Sequence, residues 1–261
     1  MCLILLAHRV HPAYRLVLAA NRDEFYDRPT TAAAFWQEAP DVLGGRDLRA
    51  GGTWLGITRK GRMAAITNYR AHASMKEGVP SRGQLVSRFL LGKDHPETYL
   101  RRLALSADEY NGFNLILGHG PALYWYSNEG GEIRSLEPGI YGLSNHLLDT
   151  PWPKVAGGKE ALRRLLAEQG GPSPEALFAI LSDRYRADDA DLPDTGVGLE
   201  LERLLSPRFI TSPDYGTRSS TILSIDAGER VRFTERTFNR NPDKATTVSF
   251  EFQMASREPV P

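Results

Sequence analysis

Apolar and polar residues alternate along this chain in short blocks. Runs rich in β-formers recur at 3–7, 16–20, 54–57, 63–67, 113–117, 123–126, 140–143, 221–225, 231–234 and 248–252, and most have the length of one strand. Gly, Asn and Pro clusters separate them. Asn128-Glu129-Gly130-Gly131 and Asp226-Ala227-Gly228-Glu229 read as tight hairpin turns, so consecutive strands are expected to be antiparallel. Helical spacing is confined to a few windows. The clearest is 154–167, where Val155, Leu162, Leu165 and Leu166 share a face behind Trp152-Pro153, with Pro suited to a first turn. Segments 83–91, 97–105 and 174–181 are the others.

The resulting order is strands, two helices, strands, two helices, strands. It departs from the strict alternation of a doubly wound parallel sheet and predicts an α+β fold of stacked, mainly antiparallel sheets flanked by helices. Between 183 and 202 the composition turns acidic, with Asp188, Asp189, Asp191, Asp194, Glu200 and Glu202 among few apolar residues, and this stretch reads as an exposed loop.

Composition narrows the function classes. The chain has 261 residues, 41% of them hydrophobic, enough for a substantial core. Basic and acidic residues number 32 each, so no whole-chain field draws in nucleic acid, and none is expected as a partner. No apolar run approaches the roughly 18 residues of a membrane span. The apolar start lacks a basic leader and is broken by His8-Arg9, which argues against a signal peptide. One cysteine rules out an internal disulfide framework and a cysteine-rich metal site, and a cytoplasmic location fits best.

That cysteine is residue 2. Trimming of Met1 would leave a single residue with both a thiol and a free α-amine, a nucleophile carrying its own base. A cysteine packed in a first strand is the alternative. Five polar clusters lie at the ends of the strand-like runs. Asn21-Arg22-Asp23-Glu24 offers a guanidinium that would favour a Cys2 thiolate and a carboxylate to orient it. Thr67-Asn68-Tyr69-Arg70 and Leu143-Ser144-Asn145 each place an asparagine where its amide can donate to an oxyanion or cap a turn. Tyr215-Gly216-Thr217-Arg218-Ser219-Ser220 supplies a second arginine suited to a carboxylate or phosphate. The fifth, from Gly44-Gly45-Arg46-Asp47 through Gly51-Gly52-Thr53-Trp54-Leu55-Gly56, has paired glycines that permit close backbone approach in a shaped loop. Its spacing is not that of a nucleotide-binding loop, and neither a Gly-x-Ser-x-Gly elbow nor a His-Glu-x-x-His helix occurs. His8-x-x-His11 is a weak metal lead; His72, His95, His119 and His146 are scattered.

Together, Met1-Cys2, Asn21-Arg22-Asp23-Glu24-Phe25, Gly51-Gly52-Thr53-Trp54-Leu55-Gly56, Thr67-Asn68-Tyr69, Tyr141-Gly142-Leu143-Ser144-Asn145, Thr150-Pro151-Trp152 and Tyr215-Gly216-Thr217-Arg218 resemble the NRDE family, which includes the transport and Golgi organisation protein 2 homologues. The resemblance covers nearly the whole chain and implies one domain over 1–261. The order Cys, Arg plus Asp, Asn, Asn, Arg is also similar to the choloylglycine hydrolase and penicillin V acylase group. That likeness implies a four-layer αββα sandwich of the N-terminal nucleophile hydrolase type.

Carried over by position, it makes Cys2 the nucleophile, Arg22 and Asp23 its supporting pair, Asn68 and Asn145 oxyanion or amine contacts, and Arg218 a supporting or substrate group. Asn21, Glu24, Trp54, Tyr69 and Thr217 are further candidates for substrate contact. One departure stands out: Arg22 and Asp23 are adjacent, so they point to opposite faces if the strand continues. Two functions follow from the resemblance. One is hydrolysis of an amide, thioester or other acyl compound with no cofactor; the other is non-catalytic binding or trafficking of haem or acyl-CoA in the same pocket.

Overall fold

The structure is a computed structural model that describes residues 2–70, 76–241 and 244–255; Met1 and His72 lie outside the described residues. The first strands are β1 (Cys2–His11), β2 (Tyr14–Phe25), β3 (Thr30–Phe35), β4 (Val42–Asp47), β5 (Leu55–Thr58) and β6 (Arg62–Asn68). Helices α1 (Gly83–Leu91) and α2 (Pro96–Ala104) follow, then β7 (Phe113–His119), β8 (Ala122–Ser127), β9 (Ile133–Ser135) and β10 (Gly139–Leu143). The chain continues through α3 (Pro153–Ala167), α4 (Pro174–Leu181) and α5 (Leu199–Leu205) and ends in β11 (Tyr215–Asp226), β12 (Arg230–Phe238) and β13 (Ala245–Gln253).

These strands make two antiparallel sheets. One has the order β10-β1-β2-β11-β12-β13, the other β3 through β9 in sequence. The period of two along each strand decides what each face meets. Ile4 and Leu6 of β1, with Leu16 and Leu18 of β2, point between the sheets and pack with Leu43, Ile57, Met63 and Ile116. Leu3, Leu5, Val17 and Ala19 point the other way, onto Val155 and Leu162 of α3 and Leu177 and Phe178 of α4. On the second sheet Leu115 and Leu117 of β7 meet Leu85, Phe89 and Leu100 of α1 and α2. Each such side chain contributes roughly 1.5–3 kcal/mol by leaving water. The result is four layers, helix, sheet, sheet, helix, as the resemblance implies.

Helix starts follow local chemistry. α2, α3 and α4 each open on proline, and Ser173 caps α4 by accepting the Ala176 N–H at 3.2 Å. Helices 83–91 and 174–181 fall where periodicity put them. Three strands are missed by pattern: β3, rich in alanine; β4, interrupted by two glycines; and β9, three residues long. The stretch 44–47, read as a shaped loop, is therefore strand β4. Its glycines do allow close approach, since a Cβ on Gly45 would sit 2.5 Å from the Trp54 ring and one on Gly44 2.7 Å from the Leu55 carbonyl. The acidic segment also needs correction. It contains α5, and Glu202 on that helix is 3% exposed because it pairs with buried Arg70.

Candidate functional site

Cys2 opens β1, an interior strand between β10 and β2, and lies directly opposite Arg22 on β2. Both belong to the face between the sheets. At this end of the sandwich the two sheets part around a pocket of about 120 Å³, lined by Cys2, Arg22, Asp23, Glu24, Arg28, Asp47, Thr53, Trp54, Ile66, Asn68 and the start of α1. Local bonds hold Cys2 in place: Ser144 Oγ donates to its carbonyl at 3.0 Å. A web across the sheets supports that edge, with Thr67 Oγ1 donating to the Ser144 carbonyl at 2.6 Å and Asn145 Nδ2 to the Asn68 carbonyl at 2.9 Å.

Arg22 is 7% exposed and stacks over Trp54, its guanidinium carbon 4.3 Å from the ring centroid. Its nearest acid is Glu24 at 3.8 Å, and its Nη1 has no hydrogen-bond partner. Asp23 is on the opposite face, as adjacency predicted, because β2 runs unbroken to Phe25. There Thr217 Oγ1 donates to its carboxylate at 2.7 Å. Burial pushes the Asp23 carboxyl up, opposed by the Lys154 ammonium, the Thr217 hydroxyl and Arg22. Burial also pushes the Cys2 thiol up, with the Asp23 carboxylate adding to it, while the Arg22 guanidinium and the Asp23 backbone N–H draw it down. Cys2 thus senses both members of the pair, one across the pocket face and one from behind.

Of the other sequence candidates, Glu24, Trp54 and Asn68 line the pocket. Four do not. Asn21 lies on the helix side, where its amide donates to the Leu181 and Arg208 carbonyls and accepts from Ser220 Oγ, so it ties the helices to the sheet. Asn145 is fully buried with both amide ends used inside the protein, by Ser144 and Asn68, and so it positions Asn68. Arg218 falls at a register shift between Thr217 and Ser219 and donates to the Phe25 and Arg28 carbonyls, bracing the turn that carries Arg28. Tyr69 packs on His146 with ring centroids 4.9 Å apart. Thr217 acts on Asp23 and also accepts the Ile210 N–H.

Residues outside the set of candidates complete the site. Arg28 binds Asp47 through two nitrogens at 2.7 and 2.9 Å on the pocket rim. Arg82 reaches the pocket from the entrance of α1. Lys154, in the first turn of α3, is buried and donates to the Leu205 carbonyl at 2.9 Å; burial lowers its ammonium to about 8, with Asp23 pulling it back. Behind them Arg70 and Glu202 form a buried ion pair. The only available signal for these was charge inside otherwise apolar or loop segments. Among the described residues no group of three or more His, Cys, Asp or Glu could hold a metal ion, and no helix is long and apolar enough to cross a membrane.

Two stacked antiparallel sheets clad in helices make the αββα sandwich, an N-terminal-nucleophile-hydrolase-like fold. A conjugated bile acid hydrolase from Clostridium perfringens, solved as a C2A mutant, aligns over 100% of both chains with a TM-score of 0.53 at 9% identity, a likeness of fold alone. The chain belongs to the Transport and Golgi organisation 2 family, whose profile matches residues 1–240. It is 40% identical over 278 residues to the Bos taurus Transport and Golgi organization protein 2 homolog, covering 98% of this chain and 100% of the relative. The Homo sapiens homolog is 37% identical over 277 residues, with the same coverage.

Proposed function

We propose that this protein is an acyl-transfer hydrolase of amides or thioesters in which Cys2, freed by removal of Met1, is the nucleophile. The observation that carries this reading is the placement of Cys2 at the start of an interior strand, in a pocket, directly opposite buried Arg22. A thiol pushed up by burial is largely protonated near neutral pH and needs a base within reach. An α-amine on the same residue supplies one. The thiol proton passes to that amine, the thiolate attacks the carbonyl carbon, and Asn68, among the residues lining the pocket, donates its side-chain amide to the resulting oxyanion. The ammonium then protonates the departing nitrogen or sulfur. Water attacks the acyl-enzyme with the amine as base, releasing the acid and restoring the thiol. The carrier reading of the same pocket fits less well for haem, since no histidine is among the residues lining it.

Intact-mass analysis combined with a β-lactone acylation probe tests this. The expected result is a chain lacking Met1 that takes up one probe, and a folded Cys2→Ala variant that takes up none. Quantitative retention of Met1, or labelling of the variant, would sink the mechanism.

A further inference from the structure

The wall of the pocket facing Cys2 is built from the entrance of α1, where Ser81, Arg82 and Gly83 line the cavity. No side chain caps this helix and no acid occupies its first turn. The Gln84 and Leu85 N–H groups close that turn onto the Ser81 and Arg82 carbonyls at 3.1 and 3.0 Å, so the helix brings the positive end of its dipole. The loop before β5 is pressed against it: a Cβ on Gly52 would lie 2.4 Å from Gly83 backbone, and the Thr53 N–H donates to the Gly83 carbonyl.

Two cations converge there. Arg82 spends one nitrogen on the Gly112 carbonyl at 2.9 Å, and burial lowers it from its ordinary value, the behaviour of a guanidinium held out of water. Arg22 is more than nine-tenths buried, lines the same pocket and keeps Nη1 without a partner. The acids nearby do not cancel them. Asp47 is taken by Arg28 and by the Arg49 and Ala50 N–H groups, and Asp23 turns its carboxylate to Thr217 on the helix side. Glu24 remains, 3.8 Å from both Arg22 and Arg28.

We propose that Arg82, Arg22 and the positive end of α1 form a subsite for an anionic group, a carboxylate or a phosphate, carried by the molecule whose carbonyl Cys2 attacks. This rests on the hydrolase reading for its purpose but not for its binding. A guanidinium contact and a helix dipole act on the same group; Glu24 offsets only one of the two converging cations, and a neutral substituent would leave the other unmatched. The small cavity confines the group close to the reacting carbonyl.

The experiment is calorimetric titration of the Cys2→Ala protein with glutarate, with inorganic phosphate and with neutral glutaramide. At least one anion should bind saturably and about tenfold or more tighter than glutaramide, and the tighter anion identifies the group recognised. Adding Arg82→Gln should weaken that binding by roughly 10–100-fold, the effect of losing a hydrogen bond to a charged group, and Arg82→Lys should restore part of it. Thermal melts confirm that each variant is folded. Equal affinity for glutaramide, no saturable anion binding, or an Arg82→Gln variant that binds unchanged overturns the subsite. Because Cys2→Ala performs no chemistry, anion binding without probe labelling of the parent would count against the hydrolase reading alone.

Discussion

Glu202 offers the most exacting test of how the site is braced. It sits on α5, 3% exposed, with Oε2 bound to Arg70 Nη1 at 2.5 Å and Oε1 accepting the Thr195 N–H at 3.1 Å and the Thr195 hydroxyl. Arg70 in turn stacks 4.9 Å from the Trp152 centroid and gives its backbone N–H to the Asn145 carbonyl at 2.7 Å, next to the web that holds Asn68. Glu202→Gln preserves shape and can still accept from Thr195, but it removes the Glu202 charge from its buried ion pair with Arg70.

Removing one partner of a buried pair costs about 3–5 kcal/mol, and retention of the Thr195 bonds puts Gln at the lower end, about 3 kcal/mol. Glu202→Ala loses those bonds as well, at about 1 kcal/mol each, and should cost about 5 kcal/mol. For a chain of this size 1 kcal/mol corresponds to about 2–4 °C, so the Gln variant should melt about 6–12 °C lower. The double variant Arg70→Met with Glu202→Leu removes both charges and should return to within about 1–2 kcal/mol of the parent. Urea unfolding followed by tryptophan fluorescence measures all of these. A Gln variant within about 1 kcal/mol of the parent, or a double variant no better than the single, refutes the assignment of a desolvated pair.

Further predictions concern titration. Arg22→Gln removes a cation that favours the Cys2 thiolate, so the pH midpoint of iodoacetamide alkylation should move upward; the lone cysteine makes the adduct unambiguous, and an unmoved or lowered midpoint contradicts the role. Burial lowers His8 from 6.5 to about 4, and its Nδ1 lacks a partner, so the fold favours the neutral ring. Its contribution is intact above about 6.5 and is lost as the pH falls from there towards about 4, by up to about 3 kcal/mol. His8→Leu should flatten that limb in urea unfolding series, and equal slopes for parent and variant would exclude His8 as its source.

How much of this was legible in the sequence differs from element to element. Ten strand-like runs and four helical windows were readable because each combines an apolar face with turn or cap chemistry at its ends. β4 was not, because Gly44 and Gly45 look like loop residues until Trp54 and the Leu55 carbonyl are seen pressed against them. α5 was hidden for a related reason: it is a short helix whose Leu199 and Leu201 stay exposed, while its acid is the residue buried. Polar motifs marked the right end of the sandwich yet could not separate residues that face the cavity from those that support it. Asn21 and Asn145 share the composition of a binding residue, and only their partners, the Leu181, Arg208 and Asn68 carbonyls, show them to be ties.

Local periodicity therefore determined most strands and helices, the position of Cys2 at the head of a strand and the opposite facing of Arg22 and Asp23, while the four layers were implied by the family resemblance. Tertiary structure alone decided that Arg82, fifty to eighty residues removed from its pocket neighbours Arg28 and Cys2, joins them, and that Lys154, Arg70 and Glu202 lie buried behind them. Side-chain charge says nothing of burial, and long-range pairing of strands and helices sets which charges meet.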